Sequence, residues 1–326
     1  VELKFLVPEQ DRSVFPAIEK YFAARGWIKI TSKDNHLLTR QIDTPARKML
    51  AAGTTLRIRG TCRNDNIDDI NRADICVKLR KSTDGSGALR RGEFETETGD
   101  FNKVDLKKLL AAHPKEVYPD LHKALKGIRP AQLREFFRID CYRDRYVIEL
   151  PEDATGLKGK RVAAELILDD VAYVMDIPGL PSPLVFHHDL EVECEALFKP
   201  CTYDDHPDAK NYVSSPLTQK QFDKAMTVIR GHILAASGNV LQGNLVSKAE
   251  RGFRELDLAV EALSKYLVGT LANGSPAGKG KGPKTLASAF ALAIANTEAG
   301  QPVKLHNDLP RSMSYVLRQR SIAFRR

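Results

Sequence analysis

The chain is short of the features that mark several common classes of protein. It has one tryptophan and four methionines in 326 residues, and no apolar run approaches the roughly 18 to 20 residues needed to cross a bilayer. The N-terminus lacks the apolar core of a secretory signal, so the expectation is a soluble, cytoplasmic protein without membrane association. Five cysteines, Cys62, Cys76, Cys141, Cys194 and Cys201, are an odd number without a Cys-x-x-Cys pair. That argues against a disulfide framework, and thiols in apolar or strand-like contexts read as reduced core residues. Charge of one sign is not dominant either: 50 basic residues stand against 42 acidic ones, a net charge of +8. Such a mixture suits phosphates as well as nucleic acid.

What the chain has is alternation. In residues 190–197, Glu191, Glu193 and Glu195 alternate with Val192, Cys194 and Ala196. Successive side chains of a strand point to opposite faces, so the three carboxylates share one face. They repel one another unless something cationic sits among them. The pattern recurs with both signs. Glu2 and Lys4 oppose Leu3, Phe5 and Val7, and Arg57 and Arg59 oppose Leu56 and Ile58. Lys78 and Arg80 oppose Val77 and Leu79, and after a Gly85-Ser86-Gly87 turn Glu93, Glu95 and Glu97 share a face. Residues 133–150 carry Arg138, Arg143 and Arg145, and a strand pair at 162–169 and 171–176 sets Glu165, Ile167 and Asp169 together. Further strands fall at 27–31 and 36–43, with a polar loop at 64–74.

Polar faces with basic and acidic clusters are easier to explain if they look at each other. A closed antiparallel barrel turns alternate positions inward, and a wide one holds a charged lumen. The expected fold is therefore α+β, an antiparallel eight-stranded β-barrel with flanking helices. Helical periods at 12–26, 101–127, 218–239 and 247–267 supply those helices. A Gly/Lys/Pro/Ser linker at 272–283, an alanine-rich helical stretch at 285–299 and a basic end complete the chain. The expected domains are 1–256 for the barrel, 257–284 for a helix end and flexible linker, and 285–326 for a basic helical appendage. A basic lumen set neutralises a polyanion and an acidic set holds a hard divalent cation, which together describe a metal-dependent site for a chain of phosphates.

These motifs resemble the CYTH superfamily of triphosphate tunnel metalloenzymes. Glu2-Leu3-Lys4 is similar to the last three positions of its Glu-x-Glu-x-Lys signature, whose first glutamate would precede Val1. The Arg57/Arg59 and Lys78/Arg80 pairs and Arg91-Gly92-Glu93-Phe94-Glu95 match it in type and order. So do Arg143 in its late aromatic-flanked strand, residues 165–169, and the closing strand with Glu191, Glu193 and Glu195. Residues 247–253, Ser-Lys-Ala-Glu-Arg-Gly-Phe, resemble a segment of the bacterial inorganic triphosphatases, without a complete CHAD domain following.

The resemblance implies hydrolysis of inorganic triphosphate with Mg2+ or Mn2+, on inorganic triphosphate or a nucleoside triphosphate. Glu2, Lys4, Arg57, Arg59, Glu193 and Glu195 would form the catalytic set, and Lys4, Arg57, Arg59, Lys78, Arg80, Arg143 and Lys248 the phosphate clamp. Glu2, Asp169, Glu191, Glu193 and Glu195 would face the metal, with Glu93, Glu95 and Glu165 orienting basic side chains. His187 and His188, adjacent in a loop, are expected to pack rather than ligate, because neighbours in an extended chain point apart. Two alternatives stay open: a class IV-type adenylate cyclase, and a non-catalytic module binding polyphosphate or nucleotide. The basic tail suits polyphosphate or RNA.

Overall fold

A computed structural model describes residues 2–63, 66–79, 82–83, 89–90, 92–176, 184–199 and 211–272. Arg80, Arg91, Cys201, the glycine turn, the linker and the C-terminal segment lie outside the described residues. In chain order the first elements are β1 (Glu2–Leu6), α1 (Val14–Ala23), β2 (Ile28–Asp43), α2 (Lys48–Ala51), β3 (Thr55–Arg63), β4 (Asn66–Lys78), β5 (Ser82–Thr83), β6 (Leu89–Arg90) and β7 (Glu93–Glu97). Then come α3 (Leu106–Ala112), α4 (Pro119–Ala124), β8 (Arg134–Leu150), α5 (Glu152–Thr155), β9 (Val162–Met175), β10 (Leu184–Ala196), α6 (Gln219–Ala236), β11 (Gln242–Gly243) and α7 (Lys248–Ala272).

The strands form one antiparallel sheet in the order β5-β6-β1-β10-β9-β8-β2-β3-β4-β7, with β11 also on β1. Eight strands have five residues or more, the number the sequence suggests, and β5, β6 and β11 are two-residue additions. The hydrogen-bonded path is open rather than closed, yet its ends are tied together by the chain. Leu89 pairs with Glu2 beside one end, and Glu93 pairs with Lys78 at the other. Extended chain spans at most about 14 Å over those four residues, so the sheet must curl.

The chain divides into two compact units, the first comprising Val1–Glu135, Ile139–Val171 and Asp189–Ser247. In it the apolar positions of β1, β8, β9 and β10 pack on Val14, Ile18 and Phe22 of α1 and on Phe222, Met226, Ile229 and Ile233 of α6. The apolar positions of β3 and β4 pack on Leu106 and Leu109 of α3 and Leu121 of α4. Each such side chain, once buried, contributes about 1.5 to 3 kcal/mol, so both helical pairs hold to the outer face and leave the polar positions inward. A capping box between Thr218 and Gln221 fixes the start of α6.

Several boundaries differ from the sequence reading. Residues from Asn66 belong to β4 rather than to a loop, because backbone pairing with β3 does not depend on side-chain polarity. The two stretches before Asp43 form one strand, as do the two around Asp169 and Asp170. The helical period at 101–127 yields two short helices, because Pro114 and Pro119 cannot lie in a helix interior. His187 and His188 lie within β10, not in a loop before it.

The second unit comprises Phe136–Arg138, Ala172–His188 and Lys248–Arg326, of which α7 is described. Phe137 meets Phe186 and Phe253 edge-on, with centroids 5.8 and 5.1 Å away. Gly252 permits this approach, since a Cβ there would lie 2.3 Å from the Phe137 ring. Arg251 is fully buried, and His187 Nδ1 lies 3.7 Å from Glu255 Oε2.

Candidate active site

Register places the charged side chains in rows. Across β1 and β10, Glu2 stands opposite Glu195, Lys4 opposite Glu193 and Leu6 opposite Glu191. Across β2, β3, β4 and β7, one row reads Thr39, Arg59, Asp74, Glu97 and the next reads Gln41, Arg57, Cys76, Glu95. Residues directly opposite share a face, so these rows belong to the charged inner surface. Curling brings the two sets within electrostatic reach: Glu93 of β7 acts on Glu195 of β10, and Arg143 of β8 acts on both Arg57 and Arg59.

Asp169, Glu191 and Glu193 are buried, and ligand oxygens of the three lie within 4.8 Å of one another. Two cations run through this group. Arg143 donates Nε and Nη2 to the two oxygens of Asp169 at 2.7 and 2.6 Å, and Nη2 also reaches Glu193 at 3.3 Å. Lys4 Nζ lies 2.5 Å from Glu193 Oε1 and 3.1 Å from Glu2 Oε1. Burial works against the Arg143 charge, but Asp169 and Glu193 hold its pKa well above the ordinary value. Several oxygen donors against two cations leave an excess of negative charge, the donor chemistry that a hard divalent ion requires. The residues present therefore fit such an ion.

The second basic pair is different. Among the described residues, neither Arg57 nor Arg59 makes a hydrogen bond or ion pair to another side chain, and the Nε of each is shut off from solvent without a partner. Burial and the charges of Arg57 and Arg143 lower Arg59 to about 10. Arg57 is also desolvated, yet Cys76, Glu93 and Glu95 leave its pKa raised. Lys78 donates to Glu93 at 2.6 Å, and Arg145 lies 3.9 Å from Glu165. Lys248, half-buried at the start of α7, belongs to the second unit.

The structure brings Asp169, Glu191 and Glu193 together, with Lys4 bonded to Glu2 and Glu193 and Arg143 bonded to Asp169 and Glu193. The sequence reading groups Glu2, Asp169, Glu191, Glu193 and Glu195 at the metal and places Lys4 and Arg143 in the phosphate clamp. It missed Asn244, whose Nδ2 donates to Glu191 Oε1 at 3.2 Å. No local sequence pattern distinguishes that asparagine from an ordinary turn residue beside Gly243.

Glu195 reaches solvent at the end of its row, yet its surroundings desolvate it and the carboxylates of Glu2, Glu93 and Glu165 oppose its charge, so its pKa is raised. A raised carboxylate pKa means that the ionised form disfavours the fold. Glu195→Gln should therefore raise the melting temperature of the metal-free protein at neutral pH, by about 2 °C. The gain should fade as pH falls through the raised pKa toward the ordinary 4.5, where Glu195 itself is protonated. Thermal scans in chelator across that interval check this, and a variant less stable at neutral pH would contradict it.

The fold and site define an α+β protein with a curled sheet and a charged, partly buried inner face. No family model matches this chain, nor does any curated protein. Among solved structures it is similar to HpAC1 from Hippeastrum, an adenylyl cyclase candidate with a dominant triphosphatase activity, at 17% identity over 77% of this chain and 94% of that one, TM-score 0.42. It is similar to an adenylate cyclase candidate from Bacillus halodurans at 17% identity over 77% and 95% of the two chains, TM-score 0.36. The Mimivirus capping-enzyme triphosphatase aligns at 14% identity over 59% and 80%, TM-score 0.27.

Proposed function

We propose that this chain hydrolyses inorganic triphosphate with Mg2+ or Mn2+. The observation that carries the proposal is the Arg57–Arg59 pair, adjacent on the inner face without a hydrogen-bonded counterion among the described residues, in electrostatic reach of Arg143, which bonds to Asp169 and Glu193 of the buried acidic cluster. Keeping two such guanidinium groups together is unfavourable, and a bound polyanion relieves it. The cross-strand rows named above carry no aromatic side chain on which a base could stack, which favours a bare phosphate chain over a nucleotide.

In this reading Arg57, Arg59 and Lys78 grip the phosphates, with Glu93 and Glu95 orienting them, while Glu165 orients Arg145. Glu2, Glu191, Glu193, Glu195 and Asp169 would hold Mg2+ or Mn2+, which supplies neutralisation of phosphate oxygens and a water of lowered pKa. Water adds to the terminal phosphorus as the bridging P–O bond breaks, and one of its protons passes to a carboxylate of the inner face. Diphosphate and phosphate leave. Lys4 and Arg143 hold the carboxylates apart until the charges of metal and substrate replace them. Lys248 is proposed as a further phosphate contact, and Arg80 as another from outside the described residues.

Phosphate release from tripolyphosphate, ATP, thiamine triphosphate and long polyphosphate, with each metal and with cyclic AMP measured in parallel, tests the proposal. Tripolyphosphate should be hydrolysed fastest. Cyclic AMP from ATP without phosphate from tripolyphosphate would replace it with a cyclase, and salt-sensitive binding without turnover would leave a binding module.

A chain ending at Ala272 should keep turnover on triphosphate within about twofold, because the charged rows lie before that point. It should lose retention on long polyphosphate or RNA at low salt, if the basic tail is the tether. A folded truncation without turnover would move a catalytic group into the tail.

A further inference from the structure

We infer that Asn244 is a positioning residue for Glu191 and thereby sets the affinity of the acidic cluster for a divalent cation, an inference that rests on the reading of that cluster as a metal site. Asn244 lies one residue beyond β11, which pairs Gly243 with Phe5 and Gln242 with Leu6. Its backbone N–H donates to the carbonyl of Lys4 at 2.9 Å, continuing that ladder, so Lys4 has Glu193 on one side and Asn244 on the other. The side chain is buried, 6% exposed.

Both ends of its amide are used. Oδ1 accepts from the backbone N–H of Val246 at 3.0 Å, forming a local Asx-type turn, and this fixes which end of the amide faces the acidic cluster. Nδ2 is thereby aimed at Glu191 Oε1, 3.2 Å away. Glu191 is wholly buried, and a polar group removed from water needs hydrogen-bond partners. Lys4 and Arg143 bond to Glu193 and Asp169, and the Asn244 amide supplies Glu191 with a neutral donor. A neutral donor orients the carboxylate without itself adding a positive charge beside the cation. A lysine here would compete with the cation, and an apolar residue would let the carboxylate turn away.

The test is Mn2+ binding by calorimetry on the full chain without phosphate, so that no turnover enters the readout. Asn244→Ala should weaken Mn2+ binding about tenfold or more, the usual effect of removing a residue that orients a metal ligand. Asn244→Ser keeps a hydroxyl for the Val246 turn but does not reach Glu191, so it should fold like the parent and show the same loss. In a Glu191→Gln background the Asn244→Ala effect should shrink to within about twofold, since the carboxylate it positions is gone. Unchanged Mn2+ affinity in the folded serine variant, or an equal loss in both backgrounds, overturns the role of Asn244 alone. Absence of Mn2+ binding by the parent overturns it together with the metal reading.

Discussion

Glu193→Gln is expected to abolish divalent-dependent release of phosphate from triphosphate, by more than about 100-fold, and to destabilise the protein as well. The two effects have one origin. Glu193 is 4% exposed and accepts from both Lys4 and Arg143, so the amide removes a charge from the metal cluster and also leaves two buried cations with one carboxylate fewer. Breaking one partner out of a buried ion pair costs about 3 to 5 kcal/mol, so urea unfolding in chelator should register a loss of that order. Turnover is then read only below the denaturation midpoint. The solvent-facing Glu195→Gln variant supplies the contrast, losing turnover while gaining stability. Full turnover in folded Glu193→Gln would remove the acidic cluster from the reaction.

The second large effect concerns Arg57 and Arg59, whose environments are not equivalent. Each charged contact to a phosphate is worth about 1.5 to 3 kcal/mol, so either alanine variant should weaken tripolyphosphate binding roughly 10- to 100-fold by calorimetry. Their stabilities should move in opposite directions. The pKa of Arg59 is depressed to about 10, so its charge works against the fold, and Arg59→Ala should raise the melting temperature of the ligand-free protein. Arg57 is held charged by Glu93 and Glu95, and Arg57→Ala should lower it. Tripolyphosphate affinity unchanged in the double variant would count against the phosphate clamp.

The alternation of charge and apolar residues carried most of the fold. Two-residue periodicity at Glu2/Lys4, Arg57/Arg59 and Glu191/Glu193 is a local property, and strands whose outer positions are Leu3, Ile58 and Val192 have one way to face a core. Mutual placement was less legible. That Arg143 grips Asp169 depends on two strands meeting, and so does the difference between Arg57 and Arg59. Asn244 has no local signal at all, because its meaning comes from β11 lying on β1. Polar β4 misread as a loop for the complementary reason: its pairing with β3 is made by backbone groups.

The pairing of β1 with β10 joins residues far apart in the chain, Glu2 to Glu195. Contacts so distant in sequence close late, because the intervening chain must lose its freedom before they form. During synthesis Lys4 emerges early and waits for Glu193, while Asp169 and Arg143 meet over a much shorter separation. The acidic cluster is therefore a late product of folding, absent from any intermediate that lacks β10. Protection of its carboxylates by a divalent ion would report the last closure of the sheet, and a ribosome-bound chain halted before Leu184 would carry the arginine pair but no site for the cation.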